Sequence, residues 1–248
     1  MTLAEVLASV ADQVSYLRAT TSTGGADWRR CDELIANRAT LVDVVEGTRA
    51  GFGADDVTVA ASLFTQAYAF RVASVALGAY ALGLAVPDVS PKVTAVRIDK
   101  PRPTAIAFLA DDVHESDAAL IAHELVGEHL APFVDAVHDS FRVGQRLLLG
   151  NAAGSCAVVF RAIEGSGADR AAVRRRADAF MRECSQWFDG LGSFTVVEHA
   201  GQSGWFWNRT NCCLWYRTQA DRLCDNCSLI PTPELSERRR RELAEITP

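Results

Sequence analysis

The apolar stretch from Val57 to Val86 is too interrupted to read as a membrane span. The longest clean stretch, Val72 to Val86, is 15 residues, and Gln66 and Arg71 interrupt the apolar sequence before it. A span needs roughly 20, so the expectation there is a buried helix. No basic segment leading into an apolar core opens the sequence, which argues against a secretory signal and leaves a cytoplasmic location as the expectation. The net charge is −6. A general basic footprint is therefore missing, and nucleic acid is not expected as a partner. No Gly-x-Gly-x-x-Gly fingerprint is present, so direct use of a nicotinamide or flavin nucleotide is not expected. Internal repeats and low-complexity tracts are also absent.

What is present fits a folded body. Among the 248 residues, 49% are hydrophobic and 23% charged, enough apolar surface for a sizeable core and too little charge for wholesale disorder. The patterning predicts a mainly α fold, α+β with a short β-hairpin or small sheet. Helical spacing runs from Leu3 to Leu17 and from Ala26 to Val45. A long helix is expected from Asp55 or Asp56 to about Leu84, with the acids at the positive end of its dipole. Val93–Ile98 and Thr104–Leu109 read as a hairpin. Further helices are expected over 116–141, 143–163 and 169–187, with Gly150 at a close helix contact or a kink. A strand is expected over 194–197. After Ala200 the texture becomes glycine- and aromatic-rich. This suggests a mainly helical domain over 1–200 and a C-terminal metal-binding module over 201–248, closed by a helix from Pro233 to Thr247.

Seven cysteines are unevenly spread. Cys31, Cys156 and Cys184 stand alone in helical sequence, as small buried apolar residues do. Cys212, Cys213, Cys224 and Cys227 fall together in a C-C-x10-C-x2-C pattern. In a reducing compartment such a group points to metal or redox chemistry rather than disulfides. Four thiolates satisfy either zinc or an iron–sulfur centre. The adjacent pair favours iron–sulfur, because neighbouring thiolates converge on one small ion only with backbone strain, whereas a two-iron cluster is wider. Zinc and a transient disulfide pair remain as alternatives.

The cysteine pattern, with Arg209 before it and Tyr216-Arg217 within it, resembles the C-terminus of the FhuF-like ferric siderophore reductases. Glu128-His-Leu-Ala-Pro-Phe133 and Gly150-Asn-Ala-Ala153 resemble two further segments of that family, so the similarity spans roughly residues 120–230. Leu149 stands where the family often has Trp, residues 218–222 lack its usual Pro-Gly-rich turn, and Ser228 replaces a common Pro. None of these changes removes a ligand. The resemblance implies a [2Fe–2S] cluster on Cys212, Cys213, Cys224 and Cys227, and an oxidoreductase that reduces a ferric siderophore by one electron to release Fe²⁺. It also implies a separate electron donor of the ferredoxin or flavodoxin kind. The alternative function is a non-catalytic metal- or siderophore-binding protein whose four-cysteine module, zinc or [2Fe–2S], is structural.

Other signals have two readings each. Trp205, Trp207, Trp215 and Tyr216 either shield a cluster or stack on an aromatic chelator, or they simply pack a small module. Arg209 and Arg217 either offset cluster charge or hold an anionic ferric complex, or they are plain exposed arginines. Trp215, Tyr216, Arg209 and Arg217 are thus the candidates for tuning the cluster or touching substrate. His123-Glu-Leu-Val-Gly-Glu-His129 lacks the zincin spacing, because Gly127 stands where the second His is needed. The basic runs Arg174–Arg176 and Arg238–Arg241 are expected on solvated helix faces, with docking of an acidic electron-transfer partner or of the inner membrane surface as the second reading.

Overall fold

Thr2 accepts the backbone N–H of Glu5 while Glu5 accepts that of Thr2, and this reciprocal box starts α1 (Leu3–Gln13). The structure, a computed structural model, describes residues 1–99 and 101–245; the expected end of the closing helix at Thr247 lies outside them. A turn of 3-10 helix over Ser15–Leu17 follows α1. The next expected helix, over 26–45, is a short strand and two helices instead: β1 (Trp28–Arg30), α2 (Cys31–Ala36) and α3 (Arg38–Phe52). The side chain of Asn37 breaks the helix and restarts it, accepting the N–H groups of Ala39 and Thr40.

The centre of the molecule is α4 (Val57–Leu82). Asp56 caps it through the Val59 N–H, and Gly83 ends it in the left-handed conformation, φ 73°. Most of its residues are buried on every side, which suits a helix enclosed by others. After β2 (Val86–Pro87), the expected hairpin is present as β3 (Thr94–Asp99) and β4 (Arg102–Phe108). β1 adds to its free edge to give a three-stranded antiparallel sheet, and β5 (Val113–His114) pairs with β2.

From α5 (Ala118–Ile121) the chain continues unbroken through a π-helical stretch, Ala122–Leu130, into α6 (Ala131–Phe141). The Ala131 N–H reaches back five residues to the Val126 carbonyl. This wider turn just precedes Pro132, which cannot donate a hydrogen bond and whose ring crowds the turn before it. Within this region His129 is fully buried, its Nδ1 2.5 Å from the Val89 carbonyl oxygen and its Nε2 2.7 Å from the Tyr68 hydroxyl. The carbonyl can only accept, so Nδ1 carries the proton and Tyr68 donates to Nε2. Burial holds this imidazole down at about 4.

α7 (Gln145–Glu164) lies along α4, and α8 (Arg170–Glu183) and α9 (Ser185–Phe188) close the helical body. By length and composition α7 could cross a membrane, with 67% of its apolar window buried inside the protein. Next comes a hairpin, β6 (Gly192–His199) with β7 (Gln202–Arg209), so the expected division at residue 200 falls in its turn. Phe194 stacks on Trp205 at 3.7 Å, and Trp205 and Trp207 join the main core. α10 (Thr232–Glu245) packs on both strands. The fold is mainly helical with small antiparallel sheets, as the sequence implies.

The basic runs are more engaged than a solvated face requires. Arg174 donates to the nearly buried Glu164 at 2.5 Å, and Arg176 reaches the Ala81 carbonyl. Arg239 is buried beside Phe206 and donates to the Trp207 carbonyl, while Arg238 and Arg240 pair with Glu234 and Glu237 on their own helix.

Candidate metal centre

The chain leaves β7 at Arg209 and turns across α4 and α7 as an irregular loop carrying all four C-terminal cysteines. Cys212 and Cys213 immediately precede Leu214, whose backbone is left-handed, φ 67°. A β-carbon disfavours that conformation. Packing of the Leu214 side chain with Ala54, Val59 and Leu63 holds it there. The twist lets the Leu214 N–H donate to Cys212 Sγ at 3.3 Å. At the other end, Cys224 and Cys227 bracket a turn closed by the Cys227 N–H on the Cys224 carbonyl, 3.1 Å.

Folding crosses the two ends. Cys212 Sγ lies 3.7 Å from Cys227 Sγ, and Cys213 Sγ lies 3.9 Å from Cys224 Sγ. Two thiolates on one tetrahedral metal, with metal–sulfur bonds of about 2.3 Å, stand about 3.8 Å apart. Each cross-pair therefore has the spacing of two ligands on one metal. A single zinc would need all four sulfurs at that mutual spacing. Among the described residues, however, no three cysteine sulfurs lie within 4.8 Å of one another. The donor set thus fits a centre with two metal positions better than a single ion.

Electrostatics favour anionic sulfur at the inner position. Hydrogen bonds from Cys212 and Cys224 draw Cys213 well below the ordinary thiol range, against the opposing effect of burial, and the Arg209 guanidinium adds to the shift. The same sharing pushes Cys212 and Cys224 up, because a second negative charge beside the first is costly.

Polar residues from the body hold the loop. Ser62 on α4 donates to the Cys213 carbonyl at 2.9 Å, and Asn151 on α7 donates to the Ser62 hydroxyl and carbonyl at 2.8 and 2.9 Å. Arg209 in turn donates to Asn151. Asn211 reaches the Leu147 carbonyl and lies so close over Gly150 that a β-carbon there would overlap its side-chain amide. Gly150 therefore serves a close contact, with the loop rather than with another helix. Asn226, between the last two cysteines, donates to the Trp207 carbonyl and accepts from Arg239 of α10. Sequence reasoning gave none of these asparagines, nor Ser62, a role at the site. The signal that could have found them was polar Ser62 and Asn151 amid the apolar residues of two core helices.

The other expected residues divide. Arg209 sits at the cysteines. Arg217 instead pairs with Asp55 and Asp56 at 3.3 and 2.6 Å and anchors the loop to the start of α4. Trp215 meets Phe52 edge-on at 5.4 Å, and Tyr216 is exposed. The three single cysteines are buried away from the site, as expected.

Beside the cysteines lies a cavity of ≈ 580 Å³, walled by Cys213 and Cys224 on one side and by Trp207, Trp215, Phe70 and several arginines on others. That volume is in the range of small-molecule sites. No protein-family model matches the chain, and no relative emerges among curated proteins.

Proposed function

We propose that this chain is a cytoplasmic ferric siderophore reductase: a [2Fe–2S] oxidoreductase that passes one electron to a chelated Fe³⁺ and so releases it as Fe²⁺. The observation that carries the reading is shared occupancy of one surface. Cys213 and Cys224 belong both to the crossed sulfur pairs and to the wall of the cavity, so a chelate seated there lies against the metal ligands. The sequence resemblance to FhuF-like reductases points the same way.

When bound to the four cysteines, a [2Fe–2S] cluster supplies a one-electron store. The chain's own residues do the remainder. Leu214 N–H and Arg209 place positive charge at the sulfurs, which favours the more negative, reduced state of whatever they hold. Trp207 and Trp215 give the cavity apolar walls that limit water. The substrate iron gains one electron; hard oxygen donors hold the resulting Fe²⁺ far less strongly than Fe³⁺. An external one-electron donor of the ferredoxin or flavodoxin class restores the reduced protein.

The test is anaerobic. Protein reduced with dithionite and freed of excess reductant is mixed with ferric chelates in the presence of an Fe²⁺ trap. Rapid reoxidation with stoichiometric Fe²⁺ is expected. Protein that is colourless, holds zinc, or stays reduced with every chelate sinks the proposal; zinc would favour the alternative of a structural four-cysteine module in a binding protein.

A further inference from the structure

We infer that the cavity beside the cysteines selects a multiply anionic ferric chelate, one whose iron is wrapped by catecholate or α-hydroxycarboxylate oxygens rather than by hydroxamates. The charge class deepens the reductase reading and rests on it for the electron transfer, but binding itself is a property of the walls.

The walls are strongly cationic. Arg71 of α4, Arg102 of β4, Arg161 of α7, Arg209 of β7 and Arg222 of the loop all line the cavity, against the single acid Asp225. Arg161 is drawn to Glu242 at 3.1 Å, and Arg222 stands 3.7 Å from Asp225. Arg71, Arg102 and Arg209 have no carboxylate partner among the described residues. Arg71 donates only to the Tyr16 carbonyl and lies over the Phe70 ring. Burial, and after it the charge of Arg102, hold Arg71 below its ordinary value. Like charges gathered around a cleft in excess of its one carboxylate and the Cys213 sulfur destabilise the empty fold and attract anions.

The aromatic walls add to the charge. A tris-catecholate complex of Fe³⁺ is a trianion with an outer rim of oxygen acceptors and flat aromatic faces, suited to the guanidinium groups and to Trp207 and Trp215. A trihydroxamate complex has no such excess charge.

Gallium(III) complexes test this, because they copy ferric ones in charge and size but accept no electron. The protein is titrated with gallium catecholate, gallium citrate and a neutral gallium trihydroxamate, read by tryptophan fluorescence. An anionic complex is expected to bind at least about ten-fold tighter than the hydroxamate at low ionic strength, with the advantage shrinking as salt rises. R71Q and R102Q are each expected to weaken anionic binding about ten-fold and to leave the hydroxamate almost unchanged, while R71K and R102K retain most of it. The catecholate and citrate arms decide which anionic oxygen donor fits better. Equal affinities across charge classes, no effect of the glutamine variants in protein whose circular dichroism is unchanged, or no binding at all overturns the inference. Reoxidation of reduced protein by ferric hydroxamate without charge preference would leave the reductase reading standing and remove this one. Tight gallium catecholate binding with no reoxidation by the ferric complex would do the reverse.

Discussion

Arg209 and Asn151 meet in the interior, the guanidinium donating to the side-chain oxygen of an asparagine set in the middle of α7. Asn151 is fully buried and continues the chain of bonds to Ser62 and from there to the Cys213 carbonyl. Asn151→Ala leaves a cation and a hydroxyl short of partners. A loss of about 2–3 kcal/mol is expected, read as a lower urea midpoint at unchanged slope. A loss under about 0.5 kcal/mol would show that the bonds are incidental.

The crossed sulfur pairs make a prediction about equivalence. Serine at Cys212 and serine at Cys227 remove ligands from one metal position, and serine at Cys213 and at Cys224 from the other. Iron and acid-labile sulfide per chain should fall, and the visible bands should shift or vanish, in matching fashion within each pair. Wild-type spectra from Cys213→Ser would contradict the ligand set.

Two glycines on α7 should respond in opposite ways. At Gly150 a new β-carbon would collide with the Asn211 amide, whereas at Gly154 the nearest atom, in Arg209, is at 3.6 Å. Gly154→Ala is expected to raise stability by about 0.5–1 kcal/mol through helix propensity. Gly150→Ala is expected to push the loop away and to lose bound iron faster under chelator challenge. Similar behaviour of the two variants would refute the close docking.

His129 gives the fold a defined acid limit. Its folded value is depressed to about 4, from 6.5. The unfolded chain therefore binds the proton first as pH falls. The contribution of neutral His129 is complete above about 6.5 and declines between 6.5 and 4, by roughly 1 kcal/mol per pH unit. Thermal midpoints should fall across that window, and less so in His129→Gln, whose absolute stability is lower because Tyr68 and Val89 lose their partner. A flat wild-type profile across that same window would contradict this.

Much of the framework is legible because its signals are local. Asp56 and Asp169 announce helix starts, and the cysteine spacing marks the site. β1 is not legible: three residues show no period, and its partner is some seventy positions away. β7 hides for another reason. Gly204, Trp205, Phe206 and Trp207 are all buried, since the core covers one face and α10 lies on the hairpin, so alternation disappears. The arginines of the cavity come from four secondary-structure elements and a loop, with no linear trace. Arg217 illustrates the converse: its position in the motif is plain, but only the fold reveals that its partners are Asp55 and Asp56.

The crossing of the cysteines also bears on assembly. Neither crossed pair takes both sulfurs from the same end of the loop, so a metal bound to either pair would clasp a ring of roughly a dozen or more residues, worth about 3 kcal/mol of chain entropy for such a ring. Trp215 and Arg222 ride on that ring and also wall the cavity. On the proposed function, loading the centre and shaping the chelate site would be one event, and each occupant would guard the other: a seated chelate would slow escape of the metals, and a filled centre would keep the cavity ready.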